Sequence, residues 1–158
     1  MDIATVAAPI LLVEDNVGDA ELTMMAFERQ GLSRRVVHVR DGLEAMDYLL
    51  RRGSFAQRPA VHPALVFLDL KMPMVDGFVV LKEIRATRGL SMLPVVVLTS
   101  SNEPGDRRRA YEAGANAYMC KPVDFVEFME SMRCACQFWT KVNWQASDDA
   151  QIFVNSKL

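Results

Sequence analysis

A chain of 158 residues, 51% apolar and 24% charged, has the length and composition of one soluble domain with a full hydrophobic core. Its formal net charge of −2 leaves no basic excess to neutralise phosphates, which argues against a dedicated nucleic-acid binder. The N-terminus has neither the basic nor the long apolar region of a signal peptide, and no apolar run approaches the length of a membrane span.

Ile10-Leu11-Leu12-Val13 is a buried strand ending in the acids Glu14 and Asp15. Asp15 or Asn16 caps a helix with Leu22, Met25 and Ala26 on its inner face, and Gly31 closes it. Arg35 to Arg40 alternates through Val37 and Val39 as an edge strand does. Asp41-Gly42 then opens a helix with Met46, Leu49 and Leu50 inward, and Pro59 and Pro63 punctuate a long polar connection. The uninterrupted run Ala64 to Leu68 reads as a strand buried on both faces and ends in a carboxylate, Asp69. Pro73 and Asp76-Gly77 mark the turn behind it. Phe78, Leu81 and Ile84 form a helical stripe, and Pro94 starts the strand Val95 to Leu98, which ends in Thr99. A helix with Ala110 and Ala113 inward stops at Gly114, and its Arg107-Arg108-Arg109 run reads as a solvated face. Ala117 to Cys120 is a short last strand ending in Lys121-Pro122. Asp124 caps a final helix with the core stripe Phe125, Phe128, Met129 and Met132. Cys134 and Cys136 are two residues apart on that helix and point to different faces, so the cysteines form no metal pattern and read as reduced and cytoplasmic.

Strands alternating with helices predict a doubly wound parallel α/β sheet. In such a sheet the ends of the strands share one edge, where ligands bind. Glu14, Asp15, Asp69, Thr99 and Lys121 therefore converge there. Clustered carboxylates repel unless a cation lies among them, and a dense all-oxygen ligand set suits Mg²⁺. A divalent ion, an ammonium and a hydroxyl together can hold a phosphoryl group, with a carboxylate as the nucleophile.

The sequence resembles the receiver domains of two-component response regulators from about Pro9 to Trp139. The resemblance is carried by Leu-Val-Glu-Asp-Asn, Asp-Leu-Lys-Met-Pro-Met-Val-Asp-Gly, Val-Leu-Thr-Ser-Ser, Glu-Ala-Gly-Ala-Asn-Ala-Tyr and Lys-Pro, in that order. It implies the flavodoxin-like strand order 2-1-3-4-5. It also implies that Asp69 is the phosphoacceptor and that Glu14 and Asp15 serve Mg²⁺ with the backbone carbonyl of Lys71. Thr99 and Lys121 would contact phosphoryl oxygens, and Tyr118 would be an aromatic switch that swings inward when Thr99 moves. Lys121-Pro122 would be a cis peptide. Lys71 and Ser101 occupy positions that affect dephosphorylation in receivers, although as residues they read as solvated. Asp19, Ala26-Phe27, the Leu-Thr-Ser-Ser block, Phe138-Trp139 and Asn143 further resemble single-domain regulators paired with bacterial phytochrome histidine kinases.

These features divide the chain into an N-terminal arm (1–8), a receiver (9–142) and a tail (143–158) with no output domain. Output would then be a changed protein–protein association, expected as a homodimer, for which Phe138, Trp139 and Trp144 supply aromatic anchors. The implied partner is a histidine kinase, with neither nucleic acid nor membrane. Two other chemistries fit less well. An aspartyl-phosphate hydrolase of external substrates usually carries a second acid two residues after the nucleophile, where this chain has Lys71. A flavin-binding domain of the same architecture needs a phosphate-cradling loop where Glu14-Asp15 stand.

Overall fold

In a computed structural model, which describes residues 7–146, strands and helices alternate along the chain. The strands are β1 (Ile10–Val13), β2 (Val36–Val39), β3 (Leu65–Leu68), β4 (Val95–Thr99) and β5 (Ala117–Cys120). The helices are α1 (Val17–Arg29), α2 (Gly42–Leu50), α3 (Gly77–Ala86), α4 (Pro104–Glu112) and α5 (Phe125–Gln137). The five strands form one sheet in the order β2-β1-β3-β4-β5, and every pairing is parallel. This is the expected flavodoxin-like topology.

The apolar runs follow from burial on both faces, because successive strand side chains point to opposite sides. Leu11, Val13, Val66, Leu68, Val95 and Val97 pack with α2, α3 and α4 residues such as Leu49, Leu81 and Ala110. Ile10, Leu12, Leu65, Phe67, Val96 and Leu98 pack on the opposite face with Phe27 of α1 and Phe128 and Met132 of α5. Side-chain caps set four of the helix starts. Asn16, Asp41, Asp76 and Asp124 each accept a backbone N–H from the first turn, at 2.8–3.1 Å. Each such cap is typically worth about 1 kcal/mol. The long connection before β3 is anchored by Arg58. Its guanidinium donates to the carbonyls of Tyr48, Leu49, Pro59 and Val61 and stacks 4.2 Å from the Tyr48 ring.

Several inward assignments shift. In α1 the buried side chains are Ala20, Thr23, Ala26 and Phe27, whereas Leu22 and Met25 are exposed. Thr23 is tolerated inside because its hydroxyl donates to the Asp19 carbonyl at 2.8 Å. Leu50 and Phe125 are also exposed, at the last turn of α2 and the first of α5. Beyond α5, a π-helical turn spans Phe138–Val142 and closes with Asn143 N–H on the Phe138 carbonyl at 2.7 Å. That wide turn places Trp139 against the α1–α5 core and leaves Phe138 exposed, so Trp139 is not a free surface anchor. Trp144 is 86% exposed. Residues 1–6 of the expected arm and 147–158 of the expected tail lie outside the described residues. No helix among the described residues is long and apolar enough to cross a membrane.

Candidate functional site

The sheet ladder continues past the strand ends and fixes the acids. Glu14 N–H donates to the Val39 carbonyl, Asp69 N–H to the Val13 carbonyl, and Lys121 N–H to the Thr99 carbonyl, at 2.7–3.1 Å. One oxygen from each of the Glu14, Asp15 and Asp69 carboxylates lies within 4.8 Å of the others. Glu14 and Asp69 are buried and Asp15 is half-buried. The ammonium of Lys121 reaches into the cluster. It bonds the Glu14 carboxylate, lies 2.9 Å from Asp19 Oδ2 and lies 3.6 Å from Asp69 Oδ2.

The electrostatics follow from that crowding. Burial pushes the Glu14 carboxyl up to about 7, and the charge of Asp69 adds to the shift against the pull of Lys121. Burial opposes the charge on Lys121, yet the bonds from Glu14 and Asp19 and the charge of Asp69 outweigh it and raise its proton affinity. The site thus holds its acids under tension that a further cation relieves, and the all-oxygen set fits a hard divalent ion.

The loop after β3 passes close to the start of α3. Gly77 N–H donates to the Leu70 carbonyl at 2.9 Å. A Cβ at Gly77 would collide with the Asp69 carbonyl oxygen and come within 2.7 Å of Leu70 Cα. A side chain there is excluded, which explains glycine at this position in backbone terms. Lys71 N–H reaches Asp69 Oδ1 at 3.4 Å. Thr99 is buried at the end of β4, and its Oγ1 accepts the Ser101 N–H at 3.3 Å. Tyr118 is half-buried and donates its hydroxyl to the Ser101 carbonyl at 2.7 Å.

Two expectations change. No cis peptide bond occurs among the described residues, so Lys121–Pro122 is trans. Trans is the lower-energy isomer of an X–Pro bond, and Lys121 already reaches its three acids from it. Ser101 is buried rather than solvated, whereas Lys71 is exposed as expected and carries an ion pair. Lys71 Nζ lies 3.4 Å from Asp106 Oδ2, and Ser101 is buried with its hydroxyl 2.6 Å from the same oxygen. The sequence motifs give no site role to Asp19 or Asp106. Asp19 could have been found as an acid one helical turn after Asp15, whereas Asp106 sits in a polar Pro-Gly-Asp-Arg run that looks wholly exposed.

Comparison with known proteins agrees with this geometry. The family model described as response regulator receiver domain matches residues 10–133. The chain belongs to the response regulator receiver family. The receiver is 42% identical over 139 residues to the probable methanogenesis regulatory protein FilR2 of Methanothrix harundinacea, covering 87% of this chain and 86% of that one. It is 35% identical over 130 residues to response regulator Rcp1 of Synechocystis sp., covering 82% and 87%. The Mn²⁺-bound form of Rcp1 superposes with a TM-score of 0.80 at 32% identity, covering 89% of this receiver and 99% of that chain. The phosphorylated cyanobacterial phytochrome response regulator RcpA superposes with a TM-score of 0.81 at 36% identity, over the same shares of both chains.

Proposed function

We propose that this receiver is a phosphorylation-controlled switch that takes a phosphoryl group from a histidine kinase onto Asp69, with Mg²⁺, and signals by altered protein–protein association. The observation that carries the reading is the meeting of the Glu14, Asp15 and Asp69 carboxylates with the Lys121 ammonium at one sheet edge. An Asp69 oxygen attacks the phosphorus, an acyl phosphate forms, and the P–N bond to the kinase histidine breaks with its electrons going to the imidazole. Lys121 and the Thr99 hydroxyl stabilise charge on the phosphoryl oxygens. Glu14, Asp15, Asp69 and the Lys71 carbonyl would hold Mg²⁺, which supplies neutralisation of the phosphoryl charge when bound. As Thr99 turns toward the phosphoryl group, Tyr118 follows inward and alters the surface of α4, β5 and α5.

Its similarity to the phytochrome response regulator RcpA supports a kinase of the phytochrome type. In this reading the protein acts in the cytoplasm. A homodimer is the proposed output, with the exposed Phe138 and Trp144 as anchors. Two experiments test this. Radiolabel should pass from an autophosphorylated phytochrome histidine kinase to the wild type and not to Asp69→Asn, and transfer to both would refute the site. Sedimentation at micromolar concentration should show a dimer that Phe138→Ala with Trp144→Ala weakens. A monomer, with or without a phosphoryl mimic, would refute that output.

A further inference from the structure

One buried carboxylate outside the acid cluster plays no part in the chemistry above. Asp106 occupies the third position of α4 and is 8% exposed. Its Oδ2 accepts the Ser101 hydroxyl at 2.6 Å and lies 3.4 Å from Lys71 Nζ, while its Oδ1 lies 3.9 Å from Arg109 Nη1. Ser101 is in turn fully engaged. Its N–H donates to Thr99 Oγ1, its carbonyl accepts Tyr118 and its hydroxyl accepts Glu103 N–H at 3.4 Å. Lys71 stands two residues from Asp69 and donates its own N–H to Asp69 Oδ1. The loop after β3 and the loop after β4 are thus fastened to the same helical turn by one side chain.

An acid in the first turn of a helix is favourable wherever it occurs, since it meets the positive end of the macrodipole. That alone would not bring an ammonium from another loop to it. The Ser101 hydroxyl holds the Asp106 carboxyl below the usual carboxylate range, and Lys71 and Arg109 add to this, so the group is ionised at neutral pH.

We propose that Asp106 is a positioning residue that sets the stability of the phosphorylated state by competing with the phosphoryl group for the ammonium of Lys71. The inference rests on Asp69 as the phosphoacceptor. Before phosphorylation, Lys71 is held at Asp106. A phosphoryl group on Asp69 brings a second, more highly charged acceptor next to the backbone of Lys71. The ammonium then moves from one acceptor to the other, and Asp106 keeps its bond from Ser101. Removing the charge of Asp106 takes away the competitor and strengthens binding of the phosphoryl group.

The Lys71 side chain is 61% exposed, so the effect is that of a partly solvated ion pair. Beryllium fluoride with Mg²⁺ is the probe, its binding followed by ¹⁹F NMR on wild type, Asp106→Asn, Lys71→Ala and the double variant. Asp106→Asn should lower the dissociation constant about two- to five-fold, as expected for a pair of this exposure. Lys71→Ala should raise the constant, and in its presence Asp106→Asn should change nothing. The double-variant comparison separates a role through Lys71 from a general effect on the helix. An unchanged constant in Asp106→Asn, or an equal change with and without Lys71, overturns the proposal. If Asp106→Asn fails to fold, Asp106→Ser takes its place in the same comparison, and an unchanged constant there overturns the proposal. A wild type that binds no beryllium fluoride refutes the phosphoacceptor reading and this proposal with it, whereas binding with no dependence on Lys71 refutes only the latter.

Discussion

Replacing Glu14 with glutamine tests the tension built into the acid cluster. In the native protein the Glu14 carboxyl is drawn from 4.5 to about 7, chiefly by burial and further by Asp69. A folded-state value above the unfolded one means that the native protein holds an extra proton between those two values. Stability from this group is therefore full below about 4.5 and is lost as the pH rises toward about 7. At about 1.36 kcal/mol per tenfold change in proton affinity, the interval corresponds to a loss of about 3 kcal/mol. Lys121 moderates this loss but does not cancel it, because its ammonium is shared among Glu14, Asp19 and Asp69. The amide of the Glu14→Gln variant cannot ionise, and its carbonyl oxygen can still accept from Lys121. Urea unfolding in EDTA at pH 5 and pH 8 should show the wild type weakening by up to about 3 kcal/mol, a midpoint shift on the order of 1–3 M, and Glu14→Gln weakening much less. Added Mg²⁺ should restore the wild type at pH 8 and do little for the variant. A wild type that gains stability from pH 5 to pH 8 in EDTA, or a variant with the same slope as the wild type, would refute the reasoning.

The remaining outcomes concern single contacts. Thr99→Ala should keep its fold, because it removes only a methyl and a hydroxyl whose one recorded bond, from Ser101 N–H, is long at 3.3 Å, but should lose most of the change in association that phosphorylation produces; sedimentation of the phosphorylated variant checks this. Gly77→Ala forces the backbone at Asp69 and Leu70 apart and should cost about 1–3 kcal/mol, read by thermal unfolding, together with slower phosphorylation. Asp106, whose proton affinity is lowered in the fold, stabilises the protein above the ordinary carboxylate range and loses that contribution as the pH falls through its folded value. Asp106→Asn should accordingly flatten the acid limb of the stability curve below about pH 4, measured by urea unfolding.

What the sequence showed and what it hid have physical causes. Strands buried on both faces write themselves as apolar runs, so the points where β1 and β3 stop at Glu14 and Asp69 were legible, and the parallel topology brought those acids and Lys121 together. Helix phase was less legible where polar side chains are buried. Thr23 faces inward in α1 because its hydroxyl is satisfied by the helix backbone, and this displaces Leu22 and Met25 outward. The positions of Phe138 and Trp139 depend on a π-helical turn that no regular period anticipates. The cis Lys121–Pro122 bond came from family resemblance rather than from any residue requirement, and the chain adopts the trans form. Asp106 was invisible because its partners Lys71 and Ser101 come from two separate loops. Asp19 joins the site by the same kind of tertiary contact, across the sheet edge to Lys121.

The central claim is that Asp69 is the phosphoacceptor of a Mg²⁺-dependent site. Intact-mass measurement after incubation with a small acyl phosphate tests it most directly. The wild type should gain one phosphoryl mass with Mg²⁺ and none in EDTA, and Asp69→Asn should gain none under either condition. Labelling of Asp69→Asn to the wild-type level, or labelling of the wild type that is indifferent to Mg²⁺, would contradict the account.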